Sequence, residues 1–373
     1  MNNKAVIAMS GGVVIPVSIT SAASSGGVDS SVAAYLMKQR GFDCIGVTMK
    51  LFANEDIGIS REHSCCSLDD VEDARSVAYS LDMPYYVFNF SDRFETDVID
   101  RFIHAYENGI TPNPCIDCNR YLKFDKLYMR AKELDRDYVV TGHYARVEKD
   151  ENGRFLLKKA LDDTKDQSYV LYCLTQEQLS HTIFPLGEMR KSQAREIAES
   201  QGFINASKAD SQDICFVQNG SYADFIEQYT GKNYPDGDFL DTNGNVIGRH
   251  KGVIRYTVGQ RKGLGISAPE PLYVKAVNPV SNTVTLSYND GLYSSVVKAG
   301  DINLISVPEI KGEMRVKAKV RYRHTEQWAT VTQNGETLTA VFDEPQRAVT
   351  CGQALVLYDG DTVVGGGTII EVE

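Results

Sequence analysis

Over its first two hundred residues the chain alternates short apolar runs with stretches of helical period, and no other feature restricts its fold as much. Residues 4–9, 44–49, 85–90 and 138–141 are apolar and of strand length. Residues 29–40, 69–82, 94–106 and 122–134 carry apolar side chains every three or four positions, such as Val32, Ala33, Leu36 and Met37, then Gly41 as a stop. Strands separated by helices pair in parallel, with helices over both faces and ligands at the carboxyl ends of the strands. The expectation is an α/β fold with an N-terminal Rossmann-like parallel sheet. Past about residue 220 the helical period fades. Turn pairs such as Asp236-Gly237, Asn243-Gly244 and Asp359-Gly360 separate short β-branched segments. They predict one or two small antiparallel β modules, with a boundary near residue 293.

Composition bounds the function classes. The 373 residues suit two or three domains. No run reaches the roughly 18 apolar residues of a membrane helix, and the apolar-leaning stretch 13–23 is broken by Pro16 and has no charged leader, so neither a membrane span nor a signal peptide is expected. Eight cysteines without a secretion signal read as cytosolic thiols, some of them catalytic. A net charge of −11 opposes nucleic-acid binding unless positive charge is concentrated locally. Clusters that would serve are Arg120, Lys123, Lys126 and Arg130, and Arg315, Lys317, Lys319, Arg321 and Arg323. The plainer reading is that each cluster is a solvated face.

Ser25-Gly26-Gly27-Val28-Asp29-Ser30-Ser31 opens the first helix. Glycines let backbone N–H groups approach an anion, and the helix dipole favours negative charge there. The string resembles the pyrophosphate loop of the N-type ATP pyrophosphatases, which cleave ATP between the α and β phosphates. It lacks the lysine of a Walker A loop. One departure is clear: Ser10-Gly11-Gly12 follows the first strand, and a second Ser-Gly-Gly ends at Gly27. Residues 13–27 therefore read as a 15-residue insertion flanked by a direct repeat.

Asn113-Pro114-Cys115-Ile116-Asp117-Cys118 holds a C-x-x-C pair. Half a zinc site or a redox motif are the alternatives, and no second pair completes four zinc ligands. A third cysteine stands in Asp213-Ile214-Cys215-Phe216. With Thr141-Gly142-His143-Tyr144, Lys165-Asp166-Gln167-Ser168-Tyr169, Phe184-Pro185-Leu186-Gly187 and Gly259-Gln260-Arg261-Lys262-Gly263, these strings resemble the bacterial tRNA-specific 2-thiouridylases over essentially the whole chain outside the insertion.

That resemblance implies three units: an ATP-pyrophosphatase domain over 1–218, a small β-rich domain over 219–292 and a tRNA-binding β-barrel over 293–373. It implies 2-thiolation of the wobble uridine by adenylation and sulfur transfer. Cys118 would be the nucleophile and Cys215 the persulfide carrier. ATP, with Mg2+, would meet Ser25, Gly26, Gly27, Val28, Asp29, Ser30, Met49 and Gly142. The tRNA would meet Asn113, Pro114 and Cys115 at the base, with His143, Lys165, Asp166, Gln167, Arg321, Tyr322 and Gln353 around it. Cys115, Cys118 and Cys215 holding an iron–sulfur cluster is the alternative to a persulfide. No other metal is expected. A cysteine desulfurase or sulfur-relay protein would supply the sulfur, in the cytoplasm. The rival reading is a tRNA-binding relative whose ATP loop the insertion has disabled.

Overall fold

The structure is a computed structural model that describes residues 3–9, 27–52, 68–207, 214–217 and 221–373. Its N-terminal strands are β1 (Lys4–Ala8), β2 (Asp43–Lys50), β3 (Tyr85–Asn89), β4 (Tyr138–Val140), β5 (Ala145–Lys149), β6 (Phe155–Lys159) and β7 (Thr182–Ile183). Five of them form one sheet in the order β3-β2-β1-β4-β7, and every pairing in it is parallel. The expected Rossmann-like sheet is present. Helices α1 (Val28–Gln39) and α2 (Leu68–Ser80) cross between its first three strands.

The side-chain alternation of a strand sorts the core into two halves. Ala5, Ile7 and Met9 turn to the face covered by Val32, Ala33, Ala74, Ala78 and Ala194. Val6 and Ala8 turn to the other, against Phe94, Phe102, Leu122 and Leu127. Both faces of β1 are thus dry, which is why its sequence is a continuous apolar run. After β3 the chain returns to the far side of β1 to form β4. That reversal is the topological switch point where open α/β sheets bind ligands. Residues 4–8 occupy the central strand; residues 10–26, which hold most of the stretch read as an insertion, lie outside the described residues.

The second half is built of β structure, as expected. The central module has the strands Gly237–Leu240, Val246–His250, Tyr273–Asn278 and Thr283–Ser287 around Phe239, Val274, Val284 and Leu286. Its pairing corrects the antiparallel expectation, because Thr283–Ser287 runs parallel to Gly237–Leu240. Turn signals mark where strands end and not which neighbour each one meets, so this pairing was not readable. The last six strands, from Tyr293–Leu304 to Thr362–Val372, close into a barrel when the first and last pair with each other. The β5–β6 hairpin of the first unit joins the barrel's last strand through Lys158 and Thr362. The N-terminal hairpin and the barrel are therefore parts of one continuous hydrogen-bonded sheet.

Candidate active site

The carboxyl ends of β1 and β4 face the first turn of α1. Gly27 caps that helix at φ +86°, a backbone region that favours glycine. The hydroxyls of Ser30 and Ser31 donate to the Gly27 carbonyl at 3.1 and 2.6 Å. Ser31 N–H makes the first intrahelical bond, to the Gly27 carbonyl at 2.9 Å, so the amides of Val28, Asp29 and Ser30 precede it and point out of the helix end. The loop after β4 comes in close. A Cβ on Gly142 would lie 2.7 Å from the Asp29 carbonyl carbon and 2.8 Å from the Ser30 nitrogen. Ser25 and Gly26 lie outside the described residues. Met49 is fully buried at the end of β2.

Asp29 is held from two sides. Lys191 Nζ donates to both carboxylate oxygens, at 2.8 and 2.7 Å, and the Tyr144 hydroxyl donates at 2.8 Å. Asn205 closes the end of α1 with a 3.0 Å bond to the Ser31 hydroxyl. Lys191 and Asn205 were missed in the sequence, where they stand far from any motif. Tyr144 was visible inside Thr141-Gly142-His143-Tyr144.

The cysteines come from a second helical segment. Asn113 caps Pro114–Asp117 by accepting from Cys115 N–H at 3.3 Å, and the helix continues through a π-wound turn, Cys118–Lys126. Cys115 is 7% exposed and Cys118 only 1%. Cys215 packs against Cys115, and these two side chains form a cluster of their own. Cys215 also touches the main core, of which Cys118 is a member. Its place is fixed by its neighbour Phe216, whose ring centroid lies 5.7 Å from Phe94, 5.1 Å from Phe102 and 5.1 Å from Phe225. A fourth thiol, Cys173, lies under the same helix with Sγ 3.7 Å from the Ile116 carbonyl. Burial pushes its pKa up to about 12, which keeps it protonated and unreactive. Between the two cysteines of the pair, burial raises Asp117 to about 6 against the lowering pull of Arg101 and Arg120.

The remaining expected tRNA contacts collect where the barrel meets this helix, most of them committed to internal bonds. Gln353 donates to the Thr111 and Pro112 carbonyls at 3.0 and 3.2 Å, and Thr111 N–H donates to the Cys351 carbonyl at 3.0 Å. The Tyr322 hydroxyl donates to the Asp166 carbonyl at 3.1 Å, and burial, then Asp166 and more weakly Cys115, push that phenol up. The Asp166 carboxylate accepts from Ala160 N–H and the Ser168 hydroxyl at 3.0 and 2.7 Å. Gln167 accepts from Tyr144 N–H at 2.8 Å. Lys165 is half-buried in the turn before it. Arg321 donates to the Val258 carbonyl at 3.0 Å and to the Thr350 hydroxyl, tying the central module to the barrel. His143 is 6% exposed, bonded to Thr141 Oγ1 at 2.6 Å and flanked by Phe124 and Phe184. Burial, with help from Lys123, holds its pKa well below the usual range, so the ring is neutral.

Among the described residues no group of three or more His, Cys, Asp or Glu side chains is arranged to hold a metal. The iron–sulfur alternative receives no support from this geometry. No helix among them is long and apolar enough to cross a membrane.

Three family descriptions match the chain: a tRNA methyl transferase HUP domain over residues 18–219, a tRNA methyl transferase PRC-barrel domain over 223–288 and an aminomethyltransferase β-barrel domain over 294–369. Among curated proteins, the chain is 52% identical over 347 residues to the tRNA-specific 2-thiouridylase MnmA of Clostridioides difficile (strain 630), covering 92% of this chain and 96% of that protein. It is 51% identical over 349 residues to the protein of the same name from Lachnoclostridium phytofermentans, covering 93% and 98%. Among solved structures, the NMN synthetase of Francisella tularensis matches at a TM-score of 0.33 and 16% identity, covering 62% of this chain and 78% of that one, too slight a likeness to carry any argument.

Proposed function

The chain belongs to the tRNA-specific 2-thiouridylase family, and from that premise we propose that it replaces the 2-oxygen of the wobble uridine in tRNAs of the lysine, glutamate and glutamine type with sulfur. The observation that carries the sulfur chemistry is the packing of Cys215 against the helix that bears Cys115 and Cys118. A methyl transfer, which two of the matched domain descriptions name, would leave that meeting of thiols without a use.

The chemistry requires two activations. The 2-oxygen of a uracil is a poor leaving group. Its attack on the α phosphate of ATP makes an adenylate, so that AMP can leave, with pyrophosphate released earlier. We assign ATP to the end of α1, from Ser25 to Ser30, with Met49 and Gly142 bordering the adenosine. Backbone amides there suit an anion, and the near approach of Gly142 suits a narrow cradle. Mg2+ would come with the phosphates. Asp29 is the carboxylate at that helix end, and Lys191 is the cation beside it. Mg2+ would neutralise phosphate charge as pyrophosphate departs.

Sulfur must then reach C2 as a nucleophile. A persulfide on Cys215, loaded by a cysteine desulfurase or relay protein, supplies it, and a thiol of the C-x-x-C pair, Cys118 by the family pattern, resolves the S–S bond. Asn113, Pro114 and Cys115 would face the target base, with His143, Lys165, Asp166, Gln167, Arg321, Tyr322 and Gln353 shaping the surface around it. We place the catalytic unit at 1–218, the central domain at 219–292 and the tRNA-binding barrel at 293–373, in a cytoplasmic enzyme.

The test separates the two half-reactions. Cys118→Ser and Cys215→Ser are each expected to form adenylated tRNA and to fail in repeated thiolation turnovers. Adenylated tRNA is read by transfer of labelled AMP, and thiolated tRNA by retardation on a mercury gel. Repeated thiolation at the unmodified rate by either variant would sink the proposal.

A further inference from the structure

We propose that Trp328 is a stacking platform for an unpaired base in the anticodon loop of the bound tRNA, with Lys317 beside it to meet a flanking phosphate. The inference rests on tRNA being the substrate. Trp328 is the only tryptophan of the chain, and it stands 48% exposed on the outer face of the barrel. Alternation along the barrel strand Glu313–Lys319 sends Val316 and Ala318 into the barrel core and leaves Arg315, Lys317 and Lys319 in one outward row. The basic run of the sequence is thereby divided, since Arg321 beyond it is turned inward to Val258. The neighbouring strand, Gln327–Asn334, sets Trp328 directly opposite Lys317. Arg315 Cζ lies 5.2 Å and Lys317 Nζ 5.5 Å from the centroid of the indole.

A lone exposed indole carries little meaning. This one is set among charges of a definite arrangement. The Asp343 carboxylate pairs with the Arg315 guanidinium, which holds that group by the ring and cancels its charge. Among the described residues Lys317 has no ion-pair partner, so its charge is left for a ligand. In a chain of net charge −11, such a row is the local concentration of cations that a phosphate backbone needs. An aromatic face beside a free cation suits single-stranded RNA: the base stacks on the ring and the cation meets the phosphate. The row also leads toward the base site. Lys319 follows Lys317 by two residues, about 7 Å along the strand, and its Nζ lies 5.8 Å from the Tyr322 ring, which the proposed function sets near the target uridine. A base on Trp328 therefore belongs to the same loop as that uridine.

The single tryptophan makes the test direct. Full-length protein is titrated with substrate tRNA and, separately, with a blunt RNA duplex of the anticodon-stem sequence, while indole emission and its quenching by acrylamide are followed. Substrate tRNA is expected to quench the emission and to shield the ring from acrylamide, and the duplex to do neither. Trp328→Leu is expected to weaken tRNA binding about five- to a hundredfold. Its KM for tRNA rises, kcat at saturating tRNA is kept, and the slope of log affinity against log salt is unchanged. Trp328→Tyr is expected to restore most of the affinity. Lys317→Ala is expected to flatten the salt slope by about 0.7 to 0.9, the share of one phosphate. Equal quenching by the duplex, or unchanged tRNA affinity in Trp328→Leu, overturns the proposal. The fluorescence titration uses the unmodified chain, so it decides the matter even where a variant folds poorly. Failure of that chain to bind tRNA removes the premise and the inference together, whereas tight binding with unchanged indole emission removes the inference alone.

Discussion

Gly142 sits where the loop after β4 touches the first turn of α1, and the space left there is smaller than a methyl group. A Cβ would stand within 2.9 Å of three Asp29 and Ser30 atoms, two of them backbone, so no rotation of a side chain relieves it. Overpacking of this kind costs about 1–3 kcal/mol. Gly142→Ala is expected to displace the α1 end and weaken ATP binding by about tenfold or more, while tRNA binding is kept; calorimetric titration with ATP and a filter-binding assay with tRNA read the two effects. At this scale the sequence was legible where chemistry is written in consecutive residues. Gly27, Asp29, Ser30 and Gly142 stand in short strings and meet at the end of α1, and Cys115 stands in another short string on the second helical segment. It was not legible for Lys191 and Asn205, which reach the same helix end from 162 and 174 positions away. Nor could spacing tell that Cys115 would meet Cys215, since 100 positions separate them in the chain (215 − 115).

At the scale of elements, the barrel reaches the cysteine helix by a latch. Gln353 covers the Thr111 and Pro112 carbonyls just ahead of the Asn113 cap, and a Cβ on its neighbour Gly352 would lie 2.3 Å from Ile110 Cγ2. Removing the amide leaves two carbonyls without their donor, at a cost of about 1–3 kcal/mol for buried groups. Gln353→Ala is expected to slow thiolation several-fold with ATP-dependent adenylation nearly unchanged, because the latch holds the thiol helix and not the end of α1. Equal loss in both half-reactions would show that the latch supports the whole molecule instead. The helices and parallel strands were legible from their period. The barrel's union with the β5–β6 hairpin was not, because a single register pair, Lys158 with Thr362, leaves no periodic signal in either segment. Arg321 belongs to the same lesson. It sits in a basic run that reads as a phosphate surface, yet its guanidinium is turned inward to Val258 and Thr350.

The whole molecule titrates as the balance of groups buried in the wrong charge state for water. His143, His250 and His324 are all lowered by burial, His324 to about 4. A histidine lowered in the folded state binds its proton more readily when unfolded, so its contribution is lost as pH falls through about 6.5. Asp117 has the opposite sign. Its folded value of about 6 lies above the unfolded 3.8, so acidification between those values favours the fold. Burial raises Asp100 and Asp166 as well, but the histidines are met first on acidification, near their unfolded value of about 6.5, so the melting temperature is expected to fall from pH 7 to pH 5, and more steeply in Asp117→Asn, measured by thermal unfolding at each pH. A shallower fall in that variant would mean that Arg101 and Arg120, which oppose the burial of Asp117, govern its titration.

The segment 13–27, read from the sequence as an insertion, falls between the central strand and the N-terminal end of α1, where we propose the phosphates bind. Met9 ends the run from β1 and Gly27 caps α1, with 17 residues, 10–26, between them. Deleting 13–27 leaves three, Ser10-Gly11-Gly12, and sets Gly12 in the position before Val28. That position demands a glycine because its φ is +86°, and the direct repeat supplies one. Closing a loop of two residues before the cap, Ser10-Gly11, in place of 17 recovers about 1–2 kcal/mol of chain entropy. It also joins the backbone amides on either side of the turn without interruption, which an anion nest requires. The deletion variant is therefore expected to melt at a higher temperature, to bind ATP more tightly and to release pyrophosphate faster with purified tRNA. If ATP affinity and pyrophosphate release match the full chain, the inserted residues are a harmless excursion, and the reading of a tRNA-binding relative with a disabled ATP loop falls with them.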